Sequence, residues 1–404
     1  MDFIPFEIYN YEIWGYACLV VLATVLIVVS VRRRRALSHW LADNALDAEQ
    51  EEALPLPGLS VIVLTDGCDS DALANVVPAI MEQNYPDFEV IVVNTDKSEA
   101  VDDELMRMQI AYPKLRSTFI PISSTNVSKR KLGITLGVKA ATRDIVVITS
   151  AKCMPQSPLW LRAMGRHFDD YTDVVIGFAH NCHADDTAAG HRYRAYDQTI
   201  DASRYLAAAI HGCTYRANAY NVAYKRTSFF KMRGFASTLN LKYGDDDIFI
   251  SQMADGDNVA VELSPESILE EHHSEDYANY VRLDRQHHFF TQRFTPSHVP
   301  GIRLLNAVGY YAFTLLSLAA VAYPVALYLQ GDPMQFIKPA VLASIAVAVY
   351  LAETLVHIFA VRRIARVLQA PRPFFCIPPF RFVRPIINAK LSARASQAKN
   401  YTWE

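Results

Sequence analysis

IVVITSAKCMP, residues 145–155, is an apolar, β-branched run that stops at Thr149 and gives way to a short polar turn closed by Pro155. A run of this length suits a strand buried on both faces and is too short for a core helix. Similar runs precede it: LSVIVLT at 59–65, FEVIVV at 88–93, and residues 115–120. The stretches between them, 72–84, 99–112 and 128–141, have helical period, and Ser128 is a good N-cap for the third. Four apolar strands separated by helix-length segments predict an α/β fold with a mostly parallel sheet covered on both faces. Ligands of such sheets bind beyond the carboxyl ends of the strands. Three of those ends carry polar turns: Thr65-Asp66-Gly67-Cys68, Asn94-Thr95-Asp96-Lys97-Ser98 and Ser150-Ala151-Lys152-Cys153.

A second half follows Pro158. Its pattern predicts helices at 160–168, 191–210 and 248–254, strands at 173–178, 219–224 and 259–263, an acidic turn at 244–247, and a basic aromatic helix at 277–294. There is no internal repeat.

The apolar residues are unevenly spread. Residues 14–31 and 304–329 are uncharged runs, and 336–361 is interrupted only by Lys338, Glu353 and His357. Each is close to the roughly 20 residues a spanning helix needs, so three transmembrane helices are predicted. The basic cluster Arg32 to Arg35 follows the first run instead of leading it, which marks an anchor and not a cleaved signal. That cluster and Arg362, Arg363 and Arg366 after the third run independently place the N-terminus outside and the middle of the chain in the cytoplasm. The predicted organisation is an anchor over 1–35, a linker over 36–57, a globular domain over 58–295, spans at 304–329 and 336–361, and an interfacial tail over 362–404. Glu353 and His357 lie four apart on one helix face, where a partner across the hairpin, a lipid contact or a mutual hydrogen bond is expected.

The six cysteines show no close pairing and are expected as free thiols. The net charge of -3, with no dominant basic stripe, argues against nucleic acid as a partner. His180, Cys182, His183 and His191 match no compact zinc spacing and read as a polar loop.

Six segments now on the page occur in a recognisable order: PGLSVIVL, EQNYPDFEVIVVN from Glu82, GITLGVKAA from Gly133 ahead of DIVVIT, CMPQSPLWLRAM from Cys153, NVAYKRTSFFKMRGF from Asn221, and YGDDDIFISQMA from Tyr243. Across residues 58–293 they resemble the family 2 glycosyltransferases of the GT-A fold, especially the membrane-anchored bacterial members. The resemblance implies transfer of a sugar from a nucleotide-diphosphate sugar to an acceptor hydroxyl, usually with inversion. In such enzymes a carboxylate deprotonates the acceptor and a divalent metal on a D-x-D motif neutralises the departing diphosphate.

Carried over residue by residue, the family's acidic pair falls at Asp245 and Asp246, with Asp246 as the base. The same carboxylates would also serve simply to cap the following helix. The family's Thr-Asp-Ala-Asp-Cys falls at Thr149-Ser150-Ala151-Lys152-Cys153, so no metal ligand is expected there, because a hard cation does not tolerate an ammonium among its ligands. Either Lys152 replaces the metal as a fixed positive charge, or the site has degenerated and Lys152 is solvated or paired with an acid such as Asp96. The resemblance assigns the nucleotide sugar to Thr65, Asp66, Asn94, Asp96, Lys131, Ser150 and Lys152. Lys129, Arg130 and Lys131 equally fit a solvated charge run. The family's Gln-x-x-Arg-Trp element falls at 283–287, leaving Arg285, His287 and His288, with Arg293, to hold a diphosphate or a lipid phosphate, or to lie on the headgroups.

Two functions are left open: a membrane-anchored inverting transferase acting on a lipid-linked or cell-envelope glycan in the bacterial inner membrane, and an inactive relative that scaffolds a partner glycosyltransferase. Membrane lipids are expected partners of either.

Overall fold

The computed structural model describes residues 9–44, 55–121, 124, 127–181, 189–272, 285–296, 298–330, 337–371 and 376–397. Helix α1 (Asn10–Asp43) leads into strands β1 (Leu59–Leu64), β2 (Phe88–Asn94), β3 (Leu115–Phe119) and β4 (Ile145–Ser150), connected by α2 (Ser70–Met81), α3 (Glu99–Ala111) and α4 (Lys129–Ala140). Strands β1, β2 and β4 are buried at every position, so their side chains face apolar layers on both sides. Ile62 and Leu64 join one core cluster while Val61 and Val63 join the other, the alternation a strand imposes. On one face α4 lies so close that a Cβ at Gly137 would stand 2.5 Å from Ile62 Cγ2. Strand β3 departs from the expected apolar pattern: Arg116, Ser117 and Phe119 are exposed, because it forms the sheet edge.

The second half adds β5 (Cys153–Pro155), β6 (Val174–Ile176), β7 (Ala179–Asn181), β8 (Val222–Lys225), β9 (Val259–Val261) and β10 (Leu269–Glu271). The main sheet runs β3-β2-β1-β4-β8-β6-β9, parallel except where β8 pairs with β4 and β6. A three-stranded sheet, β5-β10-β7, stands beside it. This is the mostly parallel α/β architecture the sequence predicts. The helices of this half are α5 (Trp160–Gly165), α6 (Ala189–Ile210), α7 (Arg226–Lys231), α8 (Ile248–Met253) and α9 (Gln286–Thr291). Residues 277–284 of the predicted basic helix, including Leu283 and Asp284, lie outside the described residues, as do Cys182 and His183.

Among the described residues, three helices are long and apolar enough to cross a membrane: α1, α10 (His298–Gln330) and α11 (Ile337–Val367). They bury Leu19, Leu26, Phe313 and Ala346 among themselves. At one end of this bundle Lys338 Nζ lies 3.0 Å from Glu12 Oε2, and at the other His357 Nδ1 is 3.1 Å from Ser30 Oγ. The helices outrun the predicted spans. Leu37 on α1, and Ile364 and Ala365 on α11, join the core of the α/β domain, so the first residues of the predicted linker are helix.

The last helix, α12 (Ile377–Gln397), falls in the segment predicted to lie along the membrane surface. It packs against the domain and the bundle. Arg381 makes a two-bond fork to Glu353 at 2.8 and 2.7 Å, Arg384 Nε donates to Asp197 Oδ1 on α6 at 2.5 Å, and Leu391 and Ala395 pack with Phe289 and Phe290. Glu353 thus finds its partner on the tail, and His357 finds its own on α1, where a partner within the hairpin was one expectation.

Candidate active site

A cleft of about 640 Å³ opens beyond the carboxyl ends of β1, β2 and β4, within the roughly 300–1,000 Å³ typical of small-molecule sites. Asp66 and Gly67 leave β1 with φ of 48° and 76°, left-handed conformations that turn the chain out of the sheet. Asp66, Thr95, Asp96 and Lys152 line this side of the cleft, with Lys129 and Arg130 from the start of α4. Arg130 acts as a clasp: Nη1 donates to Asp66 Oδ2 at 2.5 Å, Nε to Asp245 Oδ2 at 2.7 Å, and Nη2 to the Ala219 carbonyl at 2.5 Å. Burial would lower its pKa, but the Asp66 and Asp245 charges more than offset this and hold it above the ordinary arginine value.

The acidic turn on the far side has three consecutive carboxylates, each with its own partner, of which Asp245 and Asp246 line the cleft. Gly244 precedes them with φ of 108°, and a Cβ there would lie 2.7 Å from Ile248 Cδ1, so glycine is needed to bring the acidic turn against α8. Asp245 meets Arg130. Asp246 lies 3.1 Å from His288 Nε2 and 3.4 Å from Arg216 Nε. Asp247 caps α8 by accepting the Ile248 N–H at 2.6 Å and also accepts the Thr291 hydroxyl proton. Burial pushes the Asp246 carboxyl up, yet His288, Arg216 and His287 more than reverse this, so it stays ionised well below its ordinary value. Its neighbour Asp247 is pushed up to about 6, first by burial and then by the Asp246 charge. Of the two, Asp246 faces the cleft.

Part of this side of the cleft belongs to a buried ionic network that sequence reasoning missed, reaching from the cleft residues Asp201, Arg216 and Arg285 back to Asp197. Arg285 Nε pairs with Asp197 at 2.7 Å and its Nη1 with Asp201 at 3.1 Å, while Arg216 Nη1 reaches Asp201 at 2.6 Å. Asp197 and Asp201 are four apart on one face of α6, a spacing that could have been noticed, although only the fold reveals that this face is buried.

The profile of Glycosyl transferase family 21 matches residues 16–380, nearly the whole chain. The chain belongs to glycosyl transferase family 21. The likeness read from the sequence pointed to family 2, so the glycosyltransferase class agrees and the family number differs. Among solved structures, the mannosyltransferase PcManGT from Pyrobaculum calidifontis, in complex with GDP-Man and Mn2+, is similar over 83% of this chain and 99% of its own, with 18% identity and a TM-score of 0.49. S. aureus TarS, residues 1-349, is similar over 85% of this chain and 92% of its own, with 14% identity and a TM-score of 0.40. A comparison with curated proteins finds no match.

In this family 21 member, the residues assigned from sequence divide into two sets. Asp66, Asp96, Lys152, Asp245, Asp246, Arg285, His287 and His288 come together around the cleft. Thr65, Asn94, Ser150 and Lys131 sit behind its surface. Thr65 Oγ1 bonds Thr95, Asn94 Nδ2 donates to Asp102 at 2.9 Å, and Ser150 Oγ donates to the Leu64 carbonyl at 3.2 Å, so these side chains brace the strand ends. The Lys131 ammonium points under the acidic turn and donates to the Thr238 and Leu241 carbonyls at 2.7 and 3.2 Å, while its neighbours Lys129 and Arg130 face the cleft.

Strand β4 ends on Ser150, whose hydroxyl is engaged, and Lys152 follows in the turn, so the strand end does not fit a divalent cation. Among the described residues, Asp246, His287 and His288 present ligand atoms within 4.8 Å of one another. In that set Arg216 Nε also lies 3.4 Å from the Asp246 oxygen that His288 approaches, a cation beside the ligand atoms, and His287 stacks on Tyr243 with centroids 4.5 Å apart.

Proposed function

We propose that this family 21 member transfers a sugar, with inversion and without a bound metal, from a nucleotide-diphosphate sugar to a hydroxyl of a lipid-linked or envelope glycan at the cytoplasmic face of a bacterial inner membrane. The observation that carries this reading is that one cleft is lined both by a carboxylate held ionised by His288 and Arg216, Asp246, and by the cations Lys152 and Lys129, the latter 3.1 Å from Asp96. As the acceptor oxygen bonds to the anomeric carbon, its proton becomes acidic and passes to Asp246, even though that carboxylate is a weak base. The bond from the anomeric carbon to the diphosphate breaks in the same step. The electron pair leaves on the diphosphate, whose charge Lys152 balances in the role a metal would otherwise fill.

The missing carboxylates at the end of β4 favour a second reading, an inactive scaffold for a partner glycosyltransferase. The two part on one experiment. Purified full-length protein in detergent, given a panel of UDP- and GDP-sugars and a membrane lipid extract, is expected to turn over donor in EDTA at a rate that added Mn2+ does not raise. Turnover that requires Mn2+ removes the metal-independent mechanism. Calorimetry showing no binding of any of these nucleotides, with or without Mn2+, removes the transferase and leaves the scaffold.

A further inference from the structure

A second cavity, of about 560 Å³, lies where the bundle meets the domain. Its apolar side is made by Leu26 and Val29 of α1 and by Leu304, Ala307 and Tyr310 of α10. Among the described residues its polar side carries five arginines, Arg33, Arg204, Arg303, Arg381 and Arg384, and no carboxylate. The nearby acids are already engaged, in part by the cavity's own arginines: Asp197 by Arg285 and Arg384, Asp201 by Arg216, Arg285, Arg303 and Arg384, and Glu353 by Arg381, which leaves Arg33 and Arg204 with no acid among these pairs. Three nitrogens of lining residues have no hydrogen-bond partner among the described residues: Arg204 Nη1, Gln292 Nε2 and His357 Nε2. Two of the three can only donate, so what the cavity lacks is an acceptor.

Arginines after a spanning helix ordinarily meet headgroups at the bilayer surface. Here they converge inside a cavity instead. The Arg204 guanidinium is pulled well below its ordinary value, by burial first and then by Arg384, Arg33 and Arg303, a repulsion that an anion would relieve. A neutral headgroup offers acceptors but leaves the positive charge unbalanced. An apolar wall continuous with the spanning helices calls for an acyl chain.

We propose that this cavity binds the phosphate of an acidic membrane lipid, with its acyl chain against α1 and α10. The site adjoins the cleft, since Asp201 lines the cleft and is bonded by Arg384 of the cavity. Binding here does not depend on sugar transfer.

The test uses the full-length protein in phosphatidylcholine nanodiscs, with fluorescent phosphatidic acid as probe. Saturable binding is expected, displaced by unlabelled phosphatidic acid but not by diacylglycerol or by inorganic phosphate at the same concentration. Arg204→Gln on α6 and Arg33→Gln on α1 are each expected to weaken it at least about tenfold. The two variants stand on different elements, so a fold defect in one leaves the other to report, and unchanged thermal melting confirms that a variant is folded. Asp246→Asn is expected to bind the probe as the native protein does, which separates failure of this site from failure of the transferase. Equal displacement by diacylglycerol, equal displacement by inorganic phosphate, or unchanged affinity in a folded Arg204→Gln protein each overturns the proposal.

Discussion

Asp246 and Lys152 face one cleft with opposite charges, and in the proposed reaction each is needed for a different atom. Replacing the carboxylate by an amide leaves the shape and removes the proton acceptor. Asp246→Asn is therefore expected to lower kcat by about 10²–10⁴ with nucleotide affinity retained, measured by product formation and by calorimetry. Lys152→Ala removes a charge that gains value only as the diphosphate departs. Its expected signature is a fall of about 10²–10³ in kcat with a smaller change in KM. Wild-type kcat in Lys152→Ala would leave the ammonium without the role assigned to it. At this scale the sequence is least legible. Lys129, Arg130 and Lys131 are consecutive on α4, and each step turns the side chain by about 100°, so two face the cleft and the third points under it. No property of the three residue types distinguishes them; the orientation of the helix on the sheet does.

Among the elements, the strands that were plain in the sequence are those buried on both faces. β1, β2 and β4 read as apolar runs because both neighbouring layers are apolar. The edge strand β3 was less plain, and the three-residue strands β5, β7 and β10 have no length over which a period can show. Short strands must be held by side chains, and β9 shows how. Glu262, fully buried just after β9, lies 2.8 Å from Arg166 Nη2 and 2.7 Å from His167 Nε2 and also accepts the Ser264 N–H, tying β9 to the end of α5. Burial pushes its carboxyl up, but His167 and Arg166 more than reverse this and set it below its ordinary 4.5. A lowered carboxylate stabilises the fold above its unfolded pKa, and that contribution is lost as pH falls through the folded value. Glu262→Gln is thus expected to cost about 3–5 kcal/mol near neutral pH, by removing the buried charge that Arg166 and His167 share. It should also flatten the loss of stability below pH 4.5, as followed by thermal melting from neutral to acid pH. A variant whose melting temperature falls by the same amount at every pH would show that the charge of Glu262 is not what holds the element.

For the whole molecule, the three apolar helices were legible from hydropathy, whereas their union with the domain was not, since the residues responsible are far apart in the chain. α1 and α11 run past the apolar bundle to bury Leu37, Ile364 and Ala365 in the core of the α/β domain. α12 then closes the joint, with Arg381 on Glu353 of α11 and, one turn on, Arg384 on Asp197 of α6. A domain tethered only by a flexible linker would melt independently of its anchor; one bolted in this way should melt with it. The native chain in detergent is accordingly expected to unfold in a single transition, with the near-ultraviolet signal of the domain and the protease resistance of the helices lost together. Glu353→Gln and Arg381→Gln are each expected to destabilise that transition by about 3–5 kcal/mol, because either leaves a buried charge alone. The double variant leaves none, so it should lose less than the sum of the singles, the excess measuring the coupling across the joint. Two separate transitions in the native chain, or strictly additive effects of the two substitutions, would mean that the bundle and the domain are not one unit.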